Sequence, residues 1–193
     1  MPSSLETIAA EARACDVCAA HLPLGPRPVF RIGVTAKLLI IGQAPGTKVH
    51  QTGIPWNDPS GRRLRGWLMM EPEMFYDSSR IAIVPMGLCY PGRLIGGGDA
   101  PPRPECAPLW QARFLSVMPD IRLTLLIGGY ALSHVLGKGP MTERVRGFRD
   151  YLPGYFPLPH PSWRTAGWER RNPWFQRETL PVLRREVAAA LNG

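Results

Sequence analysis

Leu38-Leu39-Ile40-Ile41-Gly42-Gln43-Ala44-Pro45-Gly46, continuing as TKVHQTGIPWNDPSGRRLR to Arg65, is the stretch on which the architecture turns. Four consecutive apolar residues bounded by Gly and Pro have the length and the lack of alternation of a strand buried on both faces, as in a parallel sheet. In open α/β sheets, ligands sit where strands end at their carboxyl side. The Gly42–Gly46 loop stands at that point, with two glycines that let a ligand approach the backbone and with Pro45 stiffening the turn. Trp56 brings a large flat ring to the same loop, and a helix is expected from Ser60 to Met70, with Arg62, Arg63 and Arg65 near its start.

Working outward, Arg80–Val84, Arg122–Ile127 and a short segment near Tyr155-Phe156 read as three further strands. Helical patterns occupy Glu105 to Met118 and Tyr130 to Leu136. A last helix is expected from Asn172-Pro173 to Leu191, kinked at Pro181. Ser3 or Ser4 can cap a short first helix through Ala14. Gly92 to Pro104, rich in Gly and Pro, reads as a flexible connection, and Gly137 to Arg149 as an irregular basic one. Strands alternating with helices, without a repeat or a boundary, predict one α/β domain over residues 1–193 with a parallel sheet covered on both faces.

The totals restrict the partner. Lys and Arg number 23 against 15 acidic residues, a net charge of +8 in 193 residues. Arg-rich positive surfaces match phosphate oxygens and draw polyanions inward, which favours nucleic acid. No segment approaches transmembrane length, and the first 18 residues lack the basic and apolar regions of a signal peptide. A cytoplasmic, membrane-free monomer is the expectation. In that compartment, four cysteines argue for a metal or redox role over disulfides. Cys15 and Cys18 form a CxxC pair, and Cys89 and Cys106 flank a loop that can bring them together, so all four are expected to converge. Four thiolates suit an iron–sulfur cluster or a tetrahedral zinc, and spacing alone does not separate these.

Taken together, these motifs resemble the uracil-DNA glycosylase superfamily, specifically its iron–sulfur families. Gly42-Gln43-Ala44-Pro45-Gly46 resembles their GEAPG motif with Gln for Glu, and Gly53-Ile54-Pro55-Trp56 resembles the GxPF that follows. Gly61 with Leu64 resembles the helix start after it, His160-Pro161-Ser162 matches their HPS motif, and the cysteine order resembles their cluster ligands.

The resemblance implies a three-layer α/β/α sandwich around a four-stranded parallel sheet. It also implies a [4Fe-4S] cluster on Cys15, Cys18, Cys89 and Cys106, and a DNA partner whose deaminated base is flipped into a pocket and excised by hydrolysis. Trp56 would stack on that base, and Gln43, with the backbone of Gly42 and Ala44, would bind its edge. His160 would donate to the base oxygen on which negative charge builds, and it would face Trp56 across a cleft sized for a nucleobase. Ser162, Trp163, Arg164 and Trp168 would enter the minor groove, with Arg62 and Arg63 on phosphates.

Two positions depart from the families. No acid follows the first motif, where Thr47-Lys48-Val49-His50 stands, and Pro85 replaces the Asn that reads a pyrimidine edge. His50, Asn57 or Asp58 is left to hold the attacking water, and selectivity is expected to loosen. The same departures suit an alternative: a catalytically weak damaged-DNA-binding protein, or one that traps DNA covalently.

Overall fold

The structure is a computed structural model describing residues 4–193. In chain order, α1 (Leu5–Arg13) precedes β1 (Leu38–Ile41), α2 (Thr47–Thr52), α3 (Pro59–Leu68), α4 (Pro72–Phe75) and β2 (Ile81–Ile83). Then come α5 (Cys106–Ser116), β3 (Leu123–Ile127), α6 (Gly129–Leu136), α7 (Met141–Arg146), β4 (Tyr155–Leu158), α8 (Thr165–Arg171) and α9 (Leu180–Asn192). The four strands form one sheet in the order β2-β1-β3-β4, every pairing parallel, as the apolar runs predict.

Successive strand side chains point to opposite faces, and the core divides accordingly. Leu38, Ile40, Ile81, Ile83, Leu125, Phe156 and Leu158 pack on one face with Leu64, Trp67, Phe175 and Leu183. Leu39, Ile41, Ala82, Val84 and Leu126 pack on the other with Ile8, Trp110, Phe114 and Leu132. These are the three layers of an α/β/α sandwich. The order turns in opposite directions from β1 to β2 and from β1 to β3. The crevice of a doubly wound sheet therefore lies at the carboxyl ends of the central strands, where Gly42 and Gly128 follow β1 and β3.

Local differences from expectation have identifiable causes. Ser4 is the cap of α1, its Oγ accepting from Thr7 N–H at 3.2 Å, while Ser3 lies outside the described residues. Residues 47–52 form α2, which buries Val49 and His50 and ends at the left-handed Gly53, whose N–H donates to Val49 O. The expected irregular segment before Arg149 contains α7. In the last helical run Pro181 stands in the first turn of α9. The run widens into a π turn at Phe175–Thr179 just before that proline, which has no N–H with which to continue the i−4 ladder.

The Gly92–Pro104 connection, expected to be flexible, holds an ordered hairpin. Arg93 bridges Asp99 antiparallel, Leu94 N–H donates to Gly98 O at 3.0 Å, and Ala100 N–H donates to Gly92 O at 2.8 Å. Gly92, Gly97 and Gly98 have φ of 96°, 85° and 90°, a region closed to most side chains.

Candidate active site and cysteine cavity

Trp56 is fixed by its neighbours' lack of side chains. Its backbone is left-handed, at φ 56°, which costs roughly 1–2 kcal/mol for a residue with a β-carbon. A β-carbon on Gly61 would stand 1.7 Å from the Trp56 carbonyl oxygen, and one on Gly42 would stand 2.7 Å from the indole ring. The indole therefore lies on bare backbone at the end of β1. Arg65 Nη1 donates to the same carbonyl at 3.3 Å, and Asp58 caps α3 by accepting from Gly61 N–H at 2.7 Å. A bulky residue in so restrained a conformation marks a site where geometry has been given priority over local stability.

His160 follows β4 and is held against the next strand end. A β-carbon on Gly128 would come within 3.2 Å of the His160 Cβ, and Thr165 Oγ1 donates to the His160 carbonyl. Burial lowers the imidazole below its ordinary value of 6.5, against the opposing charge of Asp58, so the ring is neutral at neutral pH.

The two rings meet. Their centroids are 5.7 Å apart at 33°, an aromatic contact. A base between two stacked rings needs about twice the ~3.4 Å stacking distance, so none fits between these. Trp56 and His160 stand side by side in one wall, and do not face each other across a cleft.

That wall belongs to a cavity of about 630 Å³ lined also by Gly42, Gln43, Ala44, Asp58, Ile83 and Pro85 within, and by Ser162, Trp163 and Arg164 at the mouth. Of the three residues expected to hold water, only Asp58 lines it. His50 is buried against Tyr90, ring centroids 5.9 Å apart, with its Nδ1 unpartnered, and Asn57 does not line the cavity.

Residues expected to touch DNA also separate. Trp163 is 79% exposed, with the Arg164 guanidinium over its ring. Arg62 is exposed. Arg63 is occupied: it donates to Ser162 O at 2.7 Å and pairs with Glu169, tying the His160 loop to α3. Trp168 packs edge-on against Trp174 and Phe175 and donates to Thr142 Oγ1 at 2.8 Å, away from the mouth.

Sequence reasoning missed Asp99. The hairpin carries it over the loop after β1, with Oδ2 3.3 Å from the place a Gly46 β-carbon would take. The residue keeps solvent contact at the mouth, yet its carboxyl faces the cavity and is pushed above the usual carboxylate range. Burial is the main cause and Asp58 adds to it, against the pull of Arg93 and Arg164. The sequence signal was a lone acid in a Gly-rich stretch, which by itself marks any turn.

A second cavity, of about 20 Å³, is lined by Cys15, Cys18, Cys89 and Cys106 together with Leu22, Leu88 and Arg103. All four thiols are free. Burial pushes Cys106 up to about 12 and Cys89 up to about 11, and raises Cys18 as well. Leu88 N–H donates to Cys106 Sγ at 3.2 Å. Among the described residues no set of three or more ligating side chains is drawn close enough to hold a metal ion. The donors surround one space without closing on it. Their chemistry, four thiols gathered from three separate segments, fits a thiolate-ligated centre.

The sequence model of the Uracil DNA glycosylase superfamily matches residues 30–184. Among solved structures, a solution NMR structure of a protein provisionally described as a uracil DNA glycosylase from Methanosarcina acetivorans is similar. It is 15% identical, with 82% of this chain and 98% of that chain covered and a TM-score of 0.47. Among the described residues, no helix is long and apolar enough to cross a membrane.

Proposed function

Because the chain belongs to the uracil DNA glycosylase superfamily, we propose that it is a monofunctional DNA glycosylase that excises uracil and related deaminated bases by hydrolysis. The observation that carries this is the meeting of Trp56, His160 and Asp58 on one cavity at the sheet's carboxyl edge. A flipped base lies over the Trp56–His160 wall, its face on the indole and its carbonyl oxygen within reach of the imidazole. Excision breaks the bond between the base nitrogen and sugar C1′, and the base leaves with the bonding pair. His160, neutral through burial, donates an N–H to the oxygen where that charge collects. Water oxygen bonds to C1′, and its proton passes to Asp58 and then to solvent. Asp58 has one oxygen on Gly61 N–H and the other free for that water.

The pocket also supports relaxed base selection. Its inner lining at the end of β2 is Ile83 and Pro85, which offer no side-chain hydrogen bond to a base edge. At the end of β1, Gln43 supplies an amide whose nitrogen donates to Ala100 O at 3.5 Å, which leaves its carbonyl oxygen and its second N–H for a base edge. Hypoxanthine and xanthine are therefore proposed substrates beside uracil. We further propose that Cys15, Cys18, Cys89 and Cys106 hold a [4Fe-4S] cluster in preference to zinc. When bound, it supplies a structural cross-link among three segments and no step of the hydrolysis. Anaerobically purified protein should then absorb near ~400 nm; colourless protein carrying one zinc would refute the cluster.

The main test is an excision panel of uracil, hypoxanthine and xanthine duplexes scored as alkali-labile sites, with Asp58→Asn beside the parent. Asn remains a good cap, so the variant should stay folded while excision falls by roughly tenfold or more. Strict uracil selectivity would refute the relaxed pocket. Binding without alkali-labile sites, or a denaturation-stable protein–DNA adduct, would replace hydrolysis with the binding or trapping alternative.

A further inference from the structure

The cavity mouth has two lips, and both project apolar side chains into solvent. On one side is Trp163, 79% exposed. On the other is the tip of the 92–100 hairpin, where Leu94 is 52% exposed and Ile95 is fully exposed. The tip is held out by construction. Leu94 N–H donates to Gly98 O, and Gly97 N–H donates to Leu94 O at 2.9 Å. The left-handed Gly97 and Gly98 let so few residues reverse the chain. The two lips also touch. A β-carbon on Gly98 would come within 3.1 Å of an Arg164 guanidinium nitrogen, so that cation lies between hairpin and Trp163 loop. Arg93 and Arg164 both line the mouth.

We propose that Leu94 and Ile95 form a second wedge that enters duplex DNA beside the extruded nucleotide, opposite Trp163. This rests on the glycosylase reading above. Leu94, Ile95 and Trp163 together make three large exposed apolar side chains beside one cavity mouth, a grouping that marks an interaction surface. On a chain with net charge +8, and beside two arginines of the mouth, the neighbouring surface is polyanionic. Within nucleic acid, the apolar destination is the face of a base exposed when the stack opens. A single strand offers that face without a wedge. A duplex does not, so the tip is specific for duplex substrates. The hairpin contributes nothing to the bond broken in the cavity: it acts by holding the stack open.

Leu94→Ser with Ile95→Ser changes only exposed side chains, so the fold should be retained. Two readouts separate the wedge from the chemistry. First, a duplex carrying 2-aminopurine opposite a non-hydrolysable abasic site reports unstacking by its fluorescence, with no excision involved. The parent should brighten it on binding, and the double variant should lose most of that rise. Second, single-turnover excision of uracil should fall roughly tenfold on duplex, the expected loss for two apolar side chains partly buried on binding. On the same single strand it should change less than about twofold.

Unchanged fluorescence and unchanged duplex excision in the variant would overturn the wedge and leave the glycosylase reading standing. Equal losses on single strand and duplex would also overturn it, by placing the tip in general DNA binding. A parent that unstacks 2-aminopurine through these residues yet excises nothing would overturn the glycosylase reading and keep the wedge. A parent that binds no duplex would overturn both.

Discussion

Two cavities lie beside the segments that follow β1 and β2 and are built on opposite plans. The larger, about 630 Å³ and open at its mouth, takes its shape from backbone: Gly42, Gly61 and Gly128 are bare where a β-carbon would strike Trp56 or His160. The smaller, about 20 Å³, takes its shape from side chains, four cysteines with Leu22 and Leu88 around them. In the first, glycines make room for something that enters and leaves. In the second, burial holds the Cys106 and Cys89 thiols well above the usual range, and under the cluster proposed above a cation would take the place of their protons. The proposed turnover and the proposed retention would thus require different walls.

The cavities share one piece of chain. Met86 N–H donates to Gly42 O and Gly87 N–H to Gln43 O, both at 2.9 Å. Leu88 N–H then donates to Cys106 Sγ at 3.2 Å, and Leu88 O accepts from Val29 N–H at 2.7 Å. Three consecutive N–H groups therefore run from the floor of one cavity to the wall of the other. Whatever fixes the thiols also fixes the Gln43 loop.

The sharpest separation of the two regions should come from His160→Ala. It removes a donor from the open cavity and touches nothing in the closed one. Excision should fall by roughly a hundredfold or more, the usual loss for a group that stabilises developing charge, while metal content and melting temperature stay near those of the parent. A single-turnover assay with metal analysis checks both. Loss of metal in this variant would contradict the division.

A smaller effect, but on both regions at once, should follow Gly87→Ala. The added β-carbon would lie 3.0 Å from Pro102 Cβ and 3.4 Å from Ala44 Cβ, so one wall or the other must give. Overpacking of this kind costs roughly 1–3 kcal/mol. Because Gly87 N–H holds Gln43 O, excision and metal retention should both weaken by several-fold. Excision rate and metal loss against a chelator would be compared in the same preparations. A change confined to one of them would show that the shared backbone transmits nothing.

These contrasts also explain what could be read from the residues alone. LLII and IAI are apolar without interruption and LTLLI is broken only by Thr124, which leaves a buried parallel strand as the economical reading, and the three form β1, β2 and β3. Gly42, Trp56 and His160 stood out as motif positions. Their side-by-side arrangement did not, because it depends on Gly61 and Gly128, which no local pattern links to either ring. The four thiols were legible as a set, since each flanks a predicted element. Arg63 was not legible as a clamp, because Glu169, its partner, lies 106 residues away. The 92–100 hairpin was hidden by its own glycines. A Gly-rich stretch reads as flexible unless one knows that Gly92, Gly97 and Gly98 hold a left-handed φ within a bonded turn. Asp99 was lost with it.

The least effect expected is on stability against pH, and it too separates the cavities. His160 is buried neutral, with its value lowered by burial and partly restored by Asp58. The unfolded chain takes up this proton near the ordinary 6.5, and the folded chain only at lower pH. Below 6.5 the unfolded state therefore binds more protons, and the folded state loses stability as pH falls towards the folded value. Asp99, facing Arg93, Asp58 and Arg164, works in the opposite sense because its value is raised. Its window opens near 3.8 and closes at its raised folded value, so it acts on the acid side. Melting curves of metal-loaded parent and His160→Gln between pH 7.5 and 5.5 should accordingly diverge, the parent losing stability on acidification that the variant keeps. Parallel curves would mean that His160 titrates in the fold as it does in water. The wall it forms with Trp56 would then be wet, and its donation to a departing base no stronger than that of solvent.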